Sequence, residues 1–442
     1  MTELNITHDP AQRSWVASAN RPDHDFPLQN LPWGVFAVSG DRPRVGVAIG
    51  DQILDIAAAN SAGFFTQSAK VAADAAAGDA LNALMALGGS ACSALRRQVF
   101  EMLVEGDGVA AVRARAQSAQ LLLPAGAVEM GLPCKIEGFT DFLTSVDHLS
   151  RARRSTHPQN PVPEAFYHLP LAYNSRASSV RASGHNVVRP NGQSKAGDGA
   201  MYFGPATALD FELELGALVA TGNPLGSPIP VRTAGGHVFG YCLLNDWSAR
   251  DIQRWETTPL GPFLGKNFCT VISPWVVSAE ALAPFRVPAR PRGMGEPATL
   301  PYLHDREDSL SGGLDLQLQA WLTSERMRAR DLAPVRVTTT NLRHLYWTFA
   351  QMIAHHTSNG CDLRTGDLIG SGTVSGPDLE SRGCLAEFQE PLHLPDGSTR
   401  QWLLDGDELV FRARASKPGC ASIGFGECRS MVLPALPWPV GG

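Results

Sequence analysis

Acidic residues recur at every second position in Asp210-Phe-Glu-Leu-Glu-Leu-Gly. On a strand this spacing puts Asp210, Glu212 and Glu214 on one face and Phe211, Leu213 and Leu215 on the other. Three stacked carboxylates repel one another, so either water screens them or a cation binds them. A hard, oxygen-seeking ion such as Mg²⁺ or Ca²⁺ suits such donors. A second run, Leu243-Leu-Asn-Asp246-Trp-Ser-Ala-Arg250-Asp-Ile-Gln253, is read as an apolar strand passing into a helix at Asn245-Asp246. Asp246, Arg250 and Gln253 then share one helical face. Asp246 either caps that helix or points with the other two into a cleft. Lys266 follows in a loop of glycines, prolines and apolar residues, where it either stabilises negative charge or covers the loop with its stem. Upstream, Asp141 and His148 are seven residues apart. They could place a metal ligand and a general base in one cavity, although a lone histidine in a polar loop is otherwise unremarkable. His355 and His356 fall in the last turn of a helix, complement its dipole and are left outside the site.

The elements that must position these groups divide the chain in two. Between residue 25 and about 58, short β-type runs (Gly34–Val38, Arg44–Ile49, Gln52–Ile56) are separated by turn residues, a meander suited to a small barrel. From about 68 to 120 the chain is rich in Ala, Leu and Arg at helical spacing, punctuated by glycines at 88–89 and 106–108. Leu121–Pro133 reads as an apolar strand and a linker, which puts the domain boundary near 120–132. Beyond it, short strands alternate with Gly, Pro and polar turns. Strands are expected at Phe211–Val219, His237–Leu244, Trp275–Val277, Leu314–Leu322, Leu368–Gly372, Leu385–Gln389 and Glu408–Arg412. One helix is expected from about Leu342 to His356, ended by Asn359-Gly360.

Bulk properties narrow the function. The 442 residues are 44% apolar and 18% charged, as in an ordinary globular protein with room for a large core. A formal charge of -6 argues against nucleic acid and acidic membranes as partners. No apolar run approaches the ~20 residues of a membrane span, and the polar N-terminus lacks the layout of a signal peptide. The expected location is therefore the cytoplasm. The eight cysteines (92, 134, 242, 269, 361, 384, 420, 428) form no C-x-x-C pair and are read as reduced core residues, and zinc–thiolate chemistry has no support in the sequence.

Taken together, these segments resemble the fumarylacetoacetase family. The matching blocks are Phe-Thr-Asp-Phe at 139–142, His-Leu-Pro at 168–170 with Tyr173 and Arg-Ala-Ser-Ser at 176–179, Leu-Asp-Phe-Glu-Leu-Glu at 209–214, Asn-Asp-Trp-Ser-Ala-Arg-Asp-Ile-Gln at 245–253 and Pro-Leu-Gly-Pro-Phe-Leu-Gly-Lys at 259–266. Further blocks lie at 371–377, 403–408 and 423–428, and Phe26-Pro-Leu-Gln-Asn-Leu-Pro-Trp-Gly-Val-Phe extends the likeness toward the N-terminus. The resemblance implies an α+β, mostly β fold: an N-terminal SH3-like barrel with a helical segment over residues 1–130, and a catalytic mixed β-roll over 131–442. It implies a homodimer, and Mg²⁺ or Ca²⁺ held by Asp141, Glu212, Glu214 and Asp246, with Lys266 and Thr270 in the metal group. It further implies His148 as the base that activates water, oriented by Glu387. Arg250, Gln253 and Lys266 would form the electrophilic pocket, and Tyr173, Gln253 and Thr373 would contact substrate.

The implied reaction is hydrolysis of a carbon–carbon bond in a small β-diketo acid, with fumarylacetoacetate, from the end of tyrosine and phenylalanine breakdown, as the leading substrate. Departures fall in the substrate pocket. The family has tyrosines where this chain has Leu143 and Thr257, and a glycine where it has Cys269. The segment after His148 diverges, so that Arg153 and Arg154 are the candidates to grip a carboxylate. Losing a designed hydrogen-bond partner can change selectivity by orders of magnitude. An acylpyruvate hydrolase, a lyase or decarboxylase, and a non-catalytic metal-binding relative are the alternatives.

Overall fold

Short β-branched runs joined by turn residues pair into an antiparallel sheet. In the computed structural model, which describes residues 4–154, 157–195 and 197–438, its strands are β1 (Trp33–Ala37), β2 (Arg44–Ile49), β3 (Gln52–Asp55), β4 (Leu122–Pro124) and β5 (Glu129–Met130). They are ordered β4-β3-β2-β1-β5. The Ala-rich stretch between β3 and β4 forms helices, the longest being Gln67–Ala75, Gly89–Leu103 and Val109–Ala116. Gly88 and Gly108 stand at the N-caps of the last two. Leu95, Val99 and Leu103 share a core with Val35, Val47 and Leu54 of the sheet.

A larger mixed sheet contains β6 (Phe139–Leu143), β7 (Leu171–Asn174), β8 (Val180–Ala182), β9 (Leu213–Val219), β10 (Val238–Asp246), β11 (Thr270–Ile272), β12 (Val277–Ser278) and β13 (Leu368–Gly370). Its order is β7-β6-β13-β9-β10-β11-β8, with β12 paired to β10. The pairs β6/β13 and β8/β11 are parallel and the others antiparallel. Every residue of β9 and β10 is buried, because both faces are covered. Leu213, Leu215 and Ala217 face a second five-stranded sheet, in one core with Leu318, Ala320, Phe411 and Phe425. Leu218, Cys242 and Leu244 face the core shared with the N-terminal sheet. Trp33 and Val276 exchange backbone hydrogen bonds of 2.9 and 2.7 Å across that junction. Doubly covered strands lose the apolar–polar alternation of a half-exposed sheet, which accounts for the continuous apolar run Tyr-Cys-Leu-Leu within β10.

The elements differ from the sequence reading at several places; the expected strand Leu314–Leu322, for one, is split into Gly313–Leu314, paired with Arg286–Val287, and Gln317–Thr323. The expected strand Phe211–Val219 is split, since Leu209–Asp210 pairs with Ser248–Ala249 and only Leu213–Val219 joins the large sheet. Asp246 ends β10 and starts no helix; the helix is Arg250–Glu256, with Ala249 as its N-cap. Leu385–Gln389 is not a strand but a 3₁₀ turn over Leu385–Glu387, because the Asp210 carboxylate accepts from the Leu385 and Ala386 N–H groups at 2.8 and 3.0 Å. The helix expected from Leu342 begins at Phe349, where Thr348 and Gln351 form a capping box. The strands Val335–Asn341 and Ile423–Leu433, which the pattern did not reveal, complete the second sheet with Gln317–Thr323, Glu408–Ala415 and Val187–Val188. All eight cysteines are free thiols.

Leu215 is wholly buried between the two large sheets. Leu215→Ala is expected to cost about 2–5 kcal/mol of stability, read as a lower urea midpoint at unchanged m-value.

Candidate active site

Strand register brings the acids together. Asp141 on β6 lies opposite Gly370 on β13, which lies opposite Gly216 on β9, two residues beyond Glu214. Side chains at 141, 214 and 246 project from the same face of the sheet, and Glu212 reaches it from the break before β9, where its N–H donates to the Asn245 side chain at 3.2 Å. The carboxylates of Asp141, Glu212 and Asp246 offer oxygens all within 4.8 Å of one another. Glu214 completes the group and accepts from the Gly372 N–H at 3.1 Å. Gly370 has no room for a side chain: a Cβ would come 2.5 Å from Asp141 Oδ1 and 3.2 Å from Glu214 Oε2. Asp210, although in phase with Glu212 and Glu214, turns away to bind Arg250 Nε at 2.9 Å and the 3₁₀ turn.

Two cations face the cluster. Lys266 donates to Glu212 and, at 2.8 Å, to Asp246. Arg250 Nη1 lies 2.8 Å from Glu212 Oε1 and 3.2 Å from Gln253 Oε1. Thr270 donates to Asp246 Oδ1 at 2.7 Å. Lys266 and Thr270 thus orient the acids as hydrogen-bond donors. The Tyr173 hydroxyl, expected against substrate, lies 2.7 Å from both Asp141 Oδ2 and Asp246 Oδ2. One phenolic proton cannot satisfy two ionised oxygens.

The charge balance is unfavourable to the acids alone. Five buried carboxylates, counting Asp210, face two fixed positive groups. Burial, then the neighbouring acids, raise Asp141 and Glu214 well above the usual carboxylate range. Burial also opposes ionisation of Glu212, but Lys266 and Arg250 outweigh it and hold this carboxyl far below that range. Asp141 Oδ1 and Glu214 Oε1 are buried without a hydrogen-bond partner among the described residues. Unpartnered carboxylate oxygens converging with excess negative charge fit a divalent, oxygen-liganded cation.

Beside this cluster, Ser145 caps the helix Val146–Ala152 and fixes its first turn, which carries His148. His148 Nδ1 lies 2.8 Å from Glu387 Oε1, so this bond places the proton on Nδ1 and leaves the Nε2 lone pair free. Glu387 also accepts from Ser375 Oγ at 2.6 Å and Arg151 Nη1 at 3.3 Å. Burial disfavours its charge, yet the His148, Ser375 and Arg151 contacts hold Glu387 below its ordinary value. Ser375 and Arg151 were not singled out in the sequence. Arg151 follows His148 by one helical turn, and Ser375 is two residues from Thr373; those spacings were the available signals.

The remaining expected residues are less central. Thr373 is buried, with its hydroxyl unpartnered among the described residues. Leu143 packs into an apolar cluster with Leu149, Phe166 and Tyr346. Thr257 is exposed and donates to the Gln253 carbonyl at 2.5 Å, so it touches the site only through that backbone. Arg153 caps its helix and Arg154 is exposed, while Ser155 and Thr156 of the divergent stretch lie outside the described residues.

A buried four-carboxylate cluster beside a glutamate-oriented histidine, set in a β-rich fold, defines a class of hydrolytic enzymes suited to a divalent metal. Residues 29–133 match the family described as fumarylacetoacetase N-terminal, and residues 138–433 match the fumarylacetoacetate hydrolase C-terminal family. The chain is 42% identical over 435 residues to the fumarylacetoacetase of Oryza sativa subsp. japonica, covering 96% of this chain and 98% of that protein. It is 41% identical over 422 residues to the Homo sapiens fumarylacetoacetase, covering 94% and 97%. The solved structure of a fumarylacetoacetate hydrolase from psychrophilic Exiguobacterium antarcticum shares the fold at a TM-score of 0.51 and 16% identity, covering 91% of this chain and 99% of that one. The chain belongs to the fumarylacetoacetase family, and with it to the hydrolases that act on carbon–carbon bonds.

The raised Asp141 and Glu214 groups give a signed pH dependence. Without a cation they retain protons that the unfolded chain releases, so their contribution to stability falls as pH rises above the ordinary carboxylate range. In EDTA the melting temperature is expected to decline across that rise. Mg²⁺ or Ca²⁺ should abolish the decline and release protons, measured by calorimetry in buffers of different ionisation enthalpy. A pH-independent difference between the two conditions contradicts it.

Proposed function

We propose that this chain hydrolyses fumarylacetoacetate to fumarate and acetoacetate, the last step of tyrosine and phenylalanine breakdown. The reading is carried by one observation: near-full-length identity of about 40% with fumarylacetoacetases coincides with a complete buried set of Asp141, Glu212, Glu214, Asp246, His148 and Glu387. Asp141, Glu212, Glu214 and Asp246 would hold Mg²⁺ or Ca²⁺. A bound ion of this kind supplies Lewis-acid polarisation of the diketone and delocalises the departing enolate.

The chain's own groups do the rest. His148 Nε2 takes a proton from water while Nδ1–H remains on Glu387, whose charge stabilises the imidazolium that forms. Ser375 and Arg151 hold Glu387 in place. Lys266 is a fixed cation at the carboxylates, and Arg250 Nη2 is a buried donor unpartnered among the described residues; both stabilise developing oxyanion charge. Gln253 orients Arg250 through their 3.2 Å bond, and Tyr173 and Thr373 contact substrate. A second substrate reading, an acylpyruvate, is favoured by Leu143, which places an apolar surface where the family carries a tyrosine hydroxyl.

The other assignments belong to the same proposal. The N-terminal sheet is an SH3-like barrel over 1–130, and 131–442 is the catalytic β-roll; the support is the meander β1–β3, extended at its two edges by β4 and β5. The enzyme is a cytoplasmic homodimer acting on a small molecule. Among the described residues no helix is long and apolar enough to cross a membrane, and the net charge of -6 does not suit nucleic acid.

Two measurements test this. In a panel of diketo acids assayed with Mg²⁺, Ca²⁺ and EDTA, fumarylacetoacetate is expected to give the highest kcat/KM, and only with the ion. His148→Ala is expected to lower kcat by about 10²–10⁴ or more while calorimetric Mg²⁺ binding survives. Unchanged turnover removes His148 from the reaction.

A further inference from the structure

Cys384 introduces a donor that the proposed hydrolysis does not use. It is fully buried, three residues before Glu387, at the entry to the 3₁₀ turn. Its Sγ lies 3.7 Å from His148 Nδ1 and 3.6 Å from Glu387 Oε1, and those two atoms are 2.8 Å apart. The three groups thus bring one sulfur, one nitrogen and one oxygen within 4.8 Å of one another.

These edges can be compared with a real coordination shell. Zinc binds sulfur at about 2.3 Å and nitrogen or oxygen at about 2.0–2.2 Å, so a tetrahedral shell has S···N and S···O edges of roughly 3.5 Å. Both sulfur edges of the triad fall close to that value. The N···O edge is shorter than the roughly 3.3 Å of such a shell because a proton bridges it, and a metal replacing that proton would open it. The charges also close: one thiolate and one carboxylate neutralise a dication, with the imidazole neutral. The thiol proton leaves to solvent on binding.

We infer that His148, Cys384 and Glu387 form a second metal site, selective for thiophilic dications such as Zn²⁺ and distinct from the all-oxygen cluster at Asp141, Glu212 and Asp246. The donor sets divide by softness: carboxylates take the hard ion, and the thiolate–imidazole pair takes the soft one. Glu387 Oε2 stays free to accept from Arg151, so that anchor survives ligation. Ser375 Oγ donates to Glu387 Oε1 at 2.6 Å and holds that oxygen in place.

Occupancy has a consequence that rests on the reading of His148 as the base. A cation on Nδ1 displaces the proton shared with Glu387, and a neutral imidazole then carries its proton on Nε2. Nε2–H has no lone pair with which to accept a proton from water. Zinc at this site would therefore silence the enzyme by fixing the wrong tautomer, without displacing the catalytic ion.

The test uses full-length protein saturated with Mg²⁺ and titrated with Co²⁺ as a spectroscopic probe. Wild type is expected to develop a near-ultraviolet sulfur-to-cobalt charge-transfer band that Zn²⁺ removes. Cys384→Ser and Cys384→Ala are expected to lack it. No band, or one that survives both substitutions, overturns the site. X-ray absorption of the wild-type zinc complex needs no variant: one sulfur at about 2.3 Å supports the site, and a shell of oxygen and nitrogen alone overturns it. Preincubation with Zn²⁺ in excess Mg²⁺ should inhibit wild type at a concentration at least tenfold below that needed for Cys384→Ser, each normalised to its own zinc-free rate. Equal inhibition of wild type and variant places the inhibitory ion on the carboxylates and overturns the inhibition. A cobalt band with a zinc-insensitive rate keeps the metal site and removes His148 as the base.

Discussion

Mutual repulsion among buried carboxylates is the constraint on which the rest of this structure depends. Asp141, Glu212, Glu214 and Asp246 are almost wholly removed from water, where each charge would otherwise be screened. Lys266 and Arg250 compensate part of it, concentrated on Glu212 and Asp246. Asp141 and Glu214 are left to hold protons or bind a cation. Ion binding and proton release are therefore two sides of one equilibrium, and the folded state is poised for the ion by its own electrostatic deficit.

That arrangement requires the topology. Asp141 reaches Glu214 only because β6 and β13 run parallel beside β9, and because Gly370 between them carries no side chain. The chain breaks before β9, and Glu212, in phase with Glu214, still faces the cluster. The same break frees Asp210 to anchor Arg250 and to shape the turn that carries Glu387. One interrupted strand thus couples the cation cluster to the histidine's orienting acid. The large sheet is covered on both faces by apolar cores, and these supply the stability against which the buried charge is set.

Much of this was legible in the residues. The alternating acids, the lysine loop and the Asp–His spacing named the groups that the structure brings together, because side-chain period is local information. The β1–β3 meander and the Ala-rich helices were legible for the same reason. What escaped was decided by distant partners. Leu385–Glu387 has the apolar look of a strand, but its N–H groups are claimed by Asp210, some 175 positions away in the chain. Asp246 precedes a plausible helix pattern, yet its pairing with Thr270 of β11 holds it in the sheet. Ser375 and Arg151 matter only through Glu387, which no local pattern connects to them. Val335–Asn341, rich in Thr, is half-exposed and carries too weak an apolar signal to mark a strand.

The acids of the site differ in role because their surroundings differ. Glu387 is as buried as Asp141, but it meets a histidine, a serine hydroxyl and an arginine, and these hold it ionised. Asp141 meets other acids and is pushed the opposite way. A carboxylate held negative can fix the imidazole tautomer and stabilise its positive charge. A carboxyl kept protonated by burial and by neighbouring acids releases that proton to solvent only when a cation takes up the shared negative charge. Environments that drive chemically similar groups apart in this manner separate an orienting function from a metal-binding one within a single cleft. The separation has a vulnerability built into it: the neighbourhood that keeps Glu387 charged and His148 correctly protonated also contains a thiol. Two of the three donors a soft cation requires are therefore supplied by the catalytic pair itself, and the position of Cys384 decides whether the third is at hand.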